Sequence, residues 1–102
     1  MSDGDGVVFE VSMGKGRYAC LRPQITARFP AEARLRVARA TVLRLAAEVE
    51  LATPEHESWC VSIEEARDPD RLWYRVVIET GDGTPAEAAR AITVLERVAV
   101  RR

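Results

Sequence analysis

The single histidine, His56, stands in the stretch "PEHES" with Glu55 and Glu57 on either side. An imidazole between carboxylates has the parts of a metal site or a proton shuttle. On an extended chain, however, both glutamates point one way and the imidazole the other. A metal usually wants three or more converging protein ligands. The spacing therefore predicts a solvated histidine and no metal site.

The other chemical candidates fail in similar ways. Asp3-Gly4-Asp5 supplies the first two acids of a calcium loop, but Val7 stands at its fifth position and no glutamate at its twelfth. Gly14-Lys15-Gly16 lacks the strand-loop-helix setting that cradles phosphates. It reads as a hairpin tip whose glycines tolerate positive φ. The segment "GDGTPAE" (81–87) places a helix N-terminus after a glycine-rich loop, which suits an anion, but Asp82 and Glu87 oppose one. Cys20 and Cys60, the only two cysteines, match no metal or redox spacing. They are expected to be reduced, small hydrophobes in strands. No Ser-His-Asp or Cys-His set assembles. The expectation is no enzyme, no catalytic residues and no cofactor.

Charge points towards recognition. The net charge is −1, so no general attraction to polyanions is expected. Its distribution is polarised: residues 15–46 carry eight basic side chains and one acid, Glu32. Lys15, Arg17, Arg22, Arg28, Arg34, Arg36 and Arg39 could contact phosphates if they converge. This is the basis of an alternative expectation, a nucleic-acid-binding protein using segment 15–46. No helix-turn-helix, zinc-finger, KH or RNP pattern accompanies it. Fourteen of the fifteen cations are arginine, a bias that GC-rich coding produces by itself.

These side chains must be positioned by elements readable from periodicity. "VVFEVSM" alternates, with Val7, Phe9, Val11 and Met13 on one face, as in a half-buried strand. "RYACLR" is the return strand, expected to end near Pro23, with 24–29 either irregular or a strand extension. A first helix is expected from Pro30 to Pro54, with Glu32 near its positive end. Its core stripe is Leu35, Ala38, Val42, Leu45, Val49 and Ala52. "SWCVSIEE" and "RLWYRVVIET" alternate again, separated by the turn "ARDPD". "TPAE" (84–87) is a capping box opening a second helix with Ala88, Ile92, Leu95 and Ala99 inward.

The expected fold is α+β, ordered β-β-α-β-β-α: a four-stranded antiparallel sheet with two helices on one face. Residues 1–6 are a flexible tail and 7–102 a single domain. "PAEA" opens both helices, and "ARATVL" (38–43) resembles "ARAITVL" (89–95), so a duplicated ββα unit is possible. Leu35, Val42, Leu45, Val49, Ile92 and Leu95 should meet Phe9, Val11, Trp59, Val61, Leu72, Tyr74, Val76 and Ile78.

Two apolar sets fall outside this core. Val37, Leu43 and Leu51 lie among the charges of the first helix, and Trp73 and Val77 lie on the sheet face away from the helices. They are the candidate protein-contact residues. The expected function is a small non-enzymatic interaction or regulatory module, self-associating as a homodimer or inhibiting a partner protein. The N-terminus lacks an apolar signal region and no apolar run reaches the ~18 residues of a membrane span. A cytoplasmic protein with no membrane partner is expected.

Overall fold

The computed structural model describes residues 6–16, 20–68, 71–81 and 83–101. The expected tail, Gly6 apart, lies outside them. The elements follow the expected order: β1 Val8–Lys15, β2 Leu21–Phe29, α1 Leu35–Ala52, β3 Cys60–Asp68, β4 Arg71–Glu79 and α2 Pro85–Val100. All four strands form one antiparallel sheet in the order β1-β2-β4-β3. Both helices pack on one face. In that layer α1 covers β3 and β4, whereas α2 covers β2 and β1. Each helix thus lies on the hairpin of the other ββα half. The central β2–β4 ladder pairs Ile25 with Val76.

Several expected boundaries move. β2 does not end near Pro23; it continues to Phe29. Proline is tolerated because the β4 ladder begins one residue later, at Gln24↔Val77, leaving Pro23 with β1 alone beside it. Gly14 and Lys15 belong to β1 rather than to a hairpin tip. Gly14 and Gly16 are not among the positive-φ glycines. Their value is space, since a Cβ would meet Gln24 Oε1 at 2.6 Å and Arg22 Cδ at 2.6 Å, respectively. β3 extends through most of "ARDPD", pairing Asp68 with Arg71, and residues 69–70 lie outside the described set.

The first helix starts at Leu35, not Pro30. The chain leaves the sheet at Phe29, and residues 30–33 reverse it through a turn closed by Ala33 N–H to Pro30 O at 3.0 Å. Glu32 therefore precedes the helix. α1 ends at Ala52, before Pro54, and Thr53 Oγ1 donates to Val49 O at 2.9 Å. α2 begins as expected. Gly83, at φ 63°, turns the chain into the cap, where Thr84 accepts the Glu87 N–H at 3.3 Å.

The core is the interface between the helices and the inner sheet face. Ile25, Leu45, Val49, Ile78 and Leu95 are fully buried, with Val42 and Val76 at 1% exposure. Phe9, Val11, Trp59, Val61 and Leu72 pack around them. The continuation of β2 adds Ile25, Ala27 and Phe29, and Phe29 meets Tyr74 edge-on at 6.1 Å. Leu35 was expected inside but is exposed, because it overhangs as the first residue of α1. Ile92 is half-buried.

Candidate functional site

The outer face of α1 carries several of the exposed large apolar residues. Val37, Leu43 and Leu51 are 46, 63 and 87% exposed. Ala40 and Ala47 stand exposed between them. Beside this face, Leu43 and Ile63 rim a groove of about 300 Å³ between α1 and edge strand β3, also lined by Arg39, Val42, Glu65 and Tyr74. Its floor is organised by Glu65, whose Oε1 accepts the Tyr74 hydroxyl at 2.8 Å and Arg39 Nη2 at 3.5 Å. Burial, and then the Glu65 carboxylate, push the Tyr74 phenol above its ordinary pKa. Sequence alone missed this trio. Its signal was the β3–β4 register, which places Glu65 opposite Tyr74.

The second surface is the sheet face that neither helix covers. Trp73 is half-buried there, with the Arg75 guanidinium 4.4 Å from its ring centroid and that of Arg28 5.6 Å away. Arg28 also reaches Glu10 at 3.1 Å. Arg22 Nη2 lies 2.8 Å from Glu64 on β3 and 3.3 Å from Glu79 on β4. Its side chain therefore ties β2 to both β3 and β4. Val77 is 0% exposed, so this contact candidate is covered within its own chain. Trp73 Nε1 and Arg75 Nε are buried without a hydrogen-bond partner.

The basic candidates do not form one patch among the described residues. Arg22 and Arg28 sit on the open sheet face, each against carboxylates. Arg34, Arg36 and Arg39 sit at the start of α1, in the opposite layer. Lys15 ends β1, and Arg17 lies outside the described residues.

The remaining candidates are scattered. The chain turns at 55–56 instead of extending, which brings His56 Nε2 to 3.5 Å from Glu57 Oε1. Glu57 is in turn bound by Arg90 Nη2 at 3.2 Å, tying this connection to α2. Among the described residues, no group of three His, Cys, Asp or Glu side chains is placed to hold a metal. Cys20 and Cys60 are unpaired and exposed rather than packed as small hydrophobes. Cys20 precedes β2 and Cys60 opens edge strand β3. In the loop before α2, Asp82 is outside the described residues, and Thr84 already takes the Glu87 N–H. No described helix is long and apolar enough to cross a membrane.

No protein-family model, curated protein or solved structure matches the chain.

Proposed function

We propose that this chain is a small, non-enzymatic protein-interaction module that associates with itself through the outer face of α1. The observation that carries this reading is the exposure of Val37, Leu43 and Leu51 on a helix whose inner stripe already fills the core. One exposed leucine is ordinary; several exposed apolar residues on a helix already buried on its other side are the pattern of a contact surface. Trp73, with Arg28 and Arg75 over its ring, offers a second, more polar surface of the residue types enriched at interface hot spots. A regulatory or inhibitory role needs only that a different protein occupy the same helix face.

The test is solution mass by light scattering over a range of concentrations, for the wild type, Leu43→Glu and Trp73→Ala. The wild type should grow heavier with concentration, and Leu43→Glu should stay monomeric. Trp73→Ala reports whether the open sheet face takes part. A wild type that stays monomeric at high concentration and captures no partner from lysate refutes the reading. Nucleic-acid binding is the weaker alternative, since the described arginines divide between two layers and three of them face carboxylates.

A further inference from the structure

α1 carries its charges against its own dipole. A helix favours acids in its first turn and bases in its last. α1 has no acid in the first turn and no base in the last. Instead Arg34 and Arg36 stand at its positive end, and Glu48 and Glu50 at its negative end. Arg34, Arg36 and Glu50 are exposed. Neither Arg36 nor Glu50 makes a side-chain hydrogen bond or ion pair with another described residue. Glu55, also exposed, lines a groove with Glu50 and deepens the negative end. Local charge preference is violated at both ends of one helix, and among the described residues neither Arg36 nor Glu50 has a partner that offsets it.

The seam between these ends is apolar. At 100° per residue, Arg36, Ala40, Leu43, Ala47 and Leu51 run along one line, opposite Ala38, Val42, Leu45 and Val49. All five outer residues are exposed and all four inner ones buried. The alanines let a second helix approach closely around Leu43.

From this arrangement we infer that α1 is a self-complementary, antiparallel helix interface whose occupant is α1 of a second copy of this chain. The inference rests on the self-association proposed above and specifies its geometry. With the two-fold axis beside Leu43, the two Leu43 side chains meet, and Ala40 faces Ala47 of the second copy. Arg36 reaches Glu50 of the second copy, twice by symmetry. The positive end of each helix, made more positive by arginine, meets the negative end of the other, made more negative by glutamate. A parallel pair would set arginine against arginine. Arg44 and Glu48, one turn apart, contribute opposite charges to the flank of the seam.

An 18-residue helix is ~27 Å long, so two such faces bury on the order of 1,000 Å² in total. That is the low end of specific interfaces. The dimer is therefore weak and concentration-dependent, with a Kd of roughly 10 μM to 1 mM. It loosens as salt screens the end charges.

The experiment is a charge swap read by sedimentation equilibrium, using the full chain as wild type, Arg36→Glu, Glu50→Arg, and an equimolar mixture of the two variants. Each variant sets like charge against like in its own dimer, so each alone should have a dimer Kd raised about tenfold or more. In the mixture, one contact sets Glu at 36 against Arg at 50 and the other keeps Arg36 against Glu50, so a heterodimer near wild-type affinity should return. Each substitution also brings one end of α1 into accord with its dipole. Thermal melting at dilute concentration should therefore show a Tm unchanged or raised, which separates lost association from lost folding. If the wild type dimerises but the variants dimerise equally well, or the mixture fails to recover, this geometry is overturned while self-association stands. A wild type that stays monomeric throughout overturns both.

Discussion

Val42 and Leu43 are neighbours in sequence with opposite surroundings, 1% and 63% exposed. Replacing Val42 with aspartate removes a buried valine, worth ~1.5–3 kcal/mol. It also places a carboxyl group in a cluster made of Ile25, Leu45, Val76, Leu95 and similar side chains, with no cation among its members. That carboxyl must stay charged at several kcal/mol or protonate, and a pKa displaced by ~3 units costs ~4 kcal/mol. The total, ~6 kcal/mol or more, matches much of the ~5–15 kcal/mol that holds a domain of this size together. Val42→Asp should therefore not fold.

Val42→Ala gives the graded version of the same test. Loss of two methyl groups costs ~2 kcal/mol with the cavity left behind. At ~4–8 °C per kcal/mol, the Tm should fall by ~8–16 °C. Leu43→Glu, one residue along, should stay within ~0.5 kcal/mol of wild type. The assay is far-UV circular dichroism melting of all three variants at a concentration too low for association. A Val42→Ala melt within ~2 °C of wild type, or a Leu43→Glu variant as damaged as Val42→Ala, would show that α1 is rotated from the orientation described.

Two further outcomes follow from local contacts. The Tyr74 pKa is raised by burial and by Glu65, so stability from the protonated phenol is intact below the unfolded value of ~10 and lost as pH rises through the higher folded value. In urea titrations, the advantage of wild type over Tyr74→Phe should therefore shrink in strongly alkaline buffer; an advantage independent of pH would contradict a phenol held above its ordinary pKa by burial and Glu65. Thr84→Ala should cost α2 its N-cap, ~1 kcal/mol by chemical denaturation, with Thr84→Ser recovering most of it. Equal stability of all three proteins would mean the cap contributes nothing.

The fold was legible where one periodicity dominated. Val7 to Met13 and Leu72 to Ile78 alternate because one sheet face is packed and the other is not. Leu45 and Val49 could be placed inside from helical spacing alone. Residues 24–29 also alternate, through Ile25, Ala27 and Phe29, but Pro23 masked the signal. Only the register shows that Pro23 has a ladder on one side. Val77 shares a face with Trp73, as its parity predicts. That it is fully covered is a property of the assembled chain that no local pattern encodes. The outer stripe of α1 was readable because 3.6-residue spacing marks two faces as clearly as one. Its charged ends gained meaning only once α1 proved to start at Leu35, which put Arg36 in the first turn.

The crossing of each helix onto the opposite hairpin sets a condition on how the chain is made. When the first ββα half leaves the ribosome, α1 has no sheet to cover, because β3 and β4 have yet to be synthesised. At ~5–20 residues per second, the remaining half takes several seconds to appear. During that interval Val42, Leu45 and Val49 lack the β3–β4 face against which they pack in the finished domain. Neither half can finish alone, and the nascent chain stays open until its last helix arrives to seal β1 and β2. The packing of this domain is therefore a single late closure, possible only once α2 has been made, rather than a sequence of small completed parts.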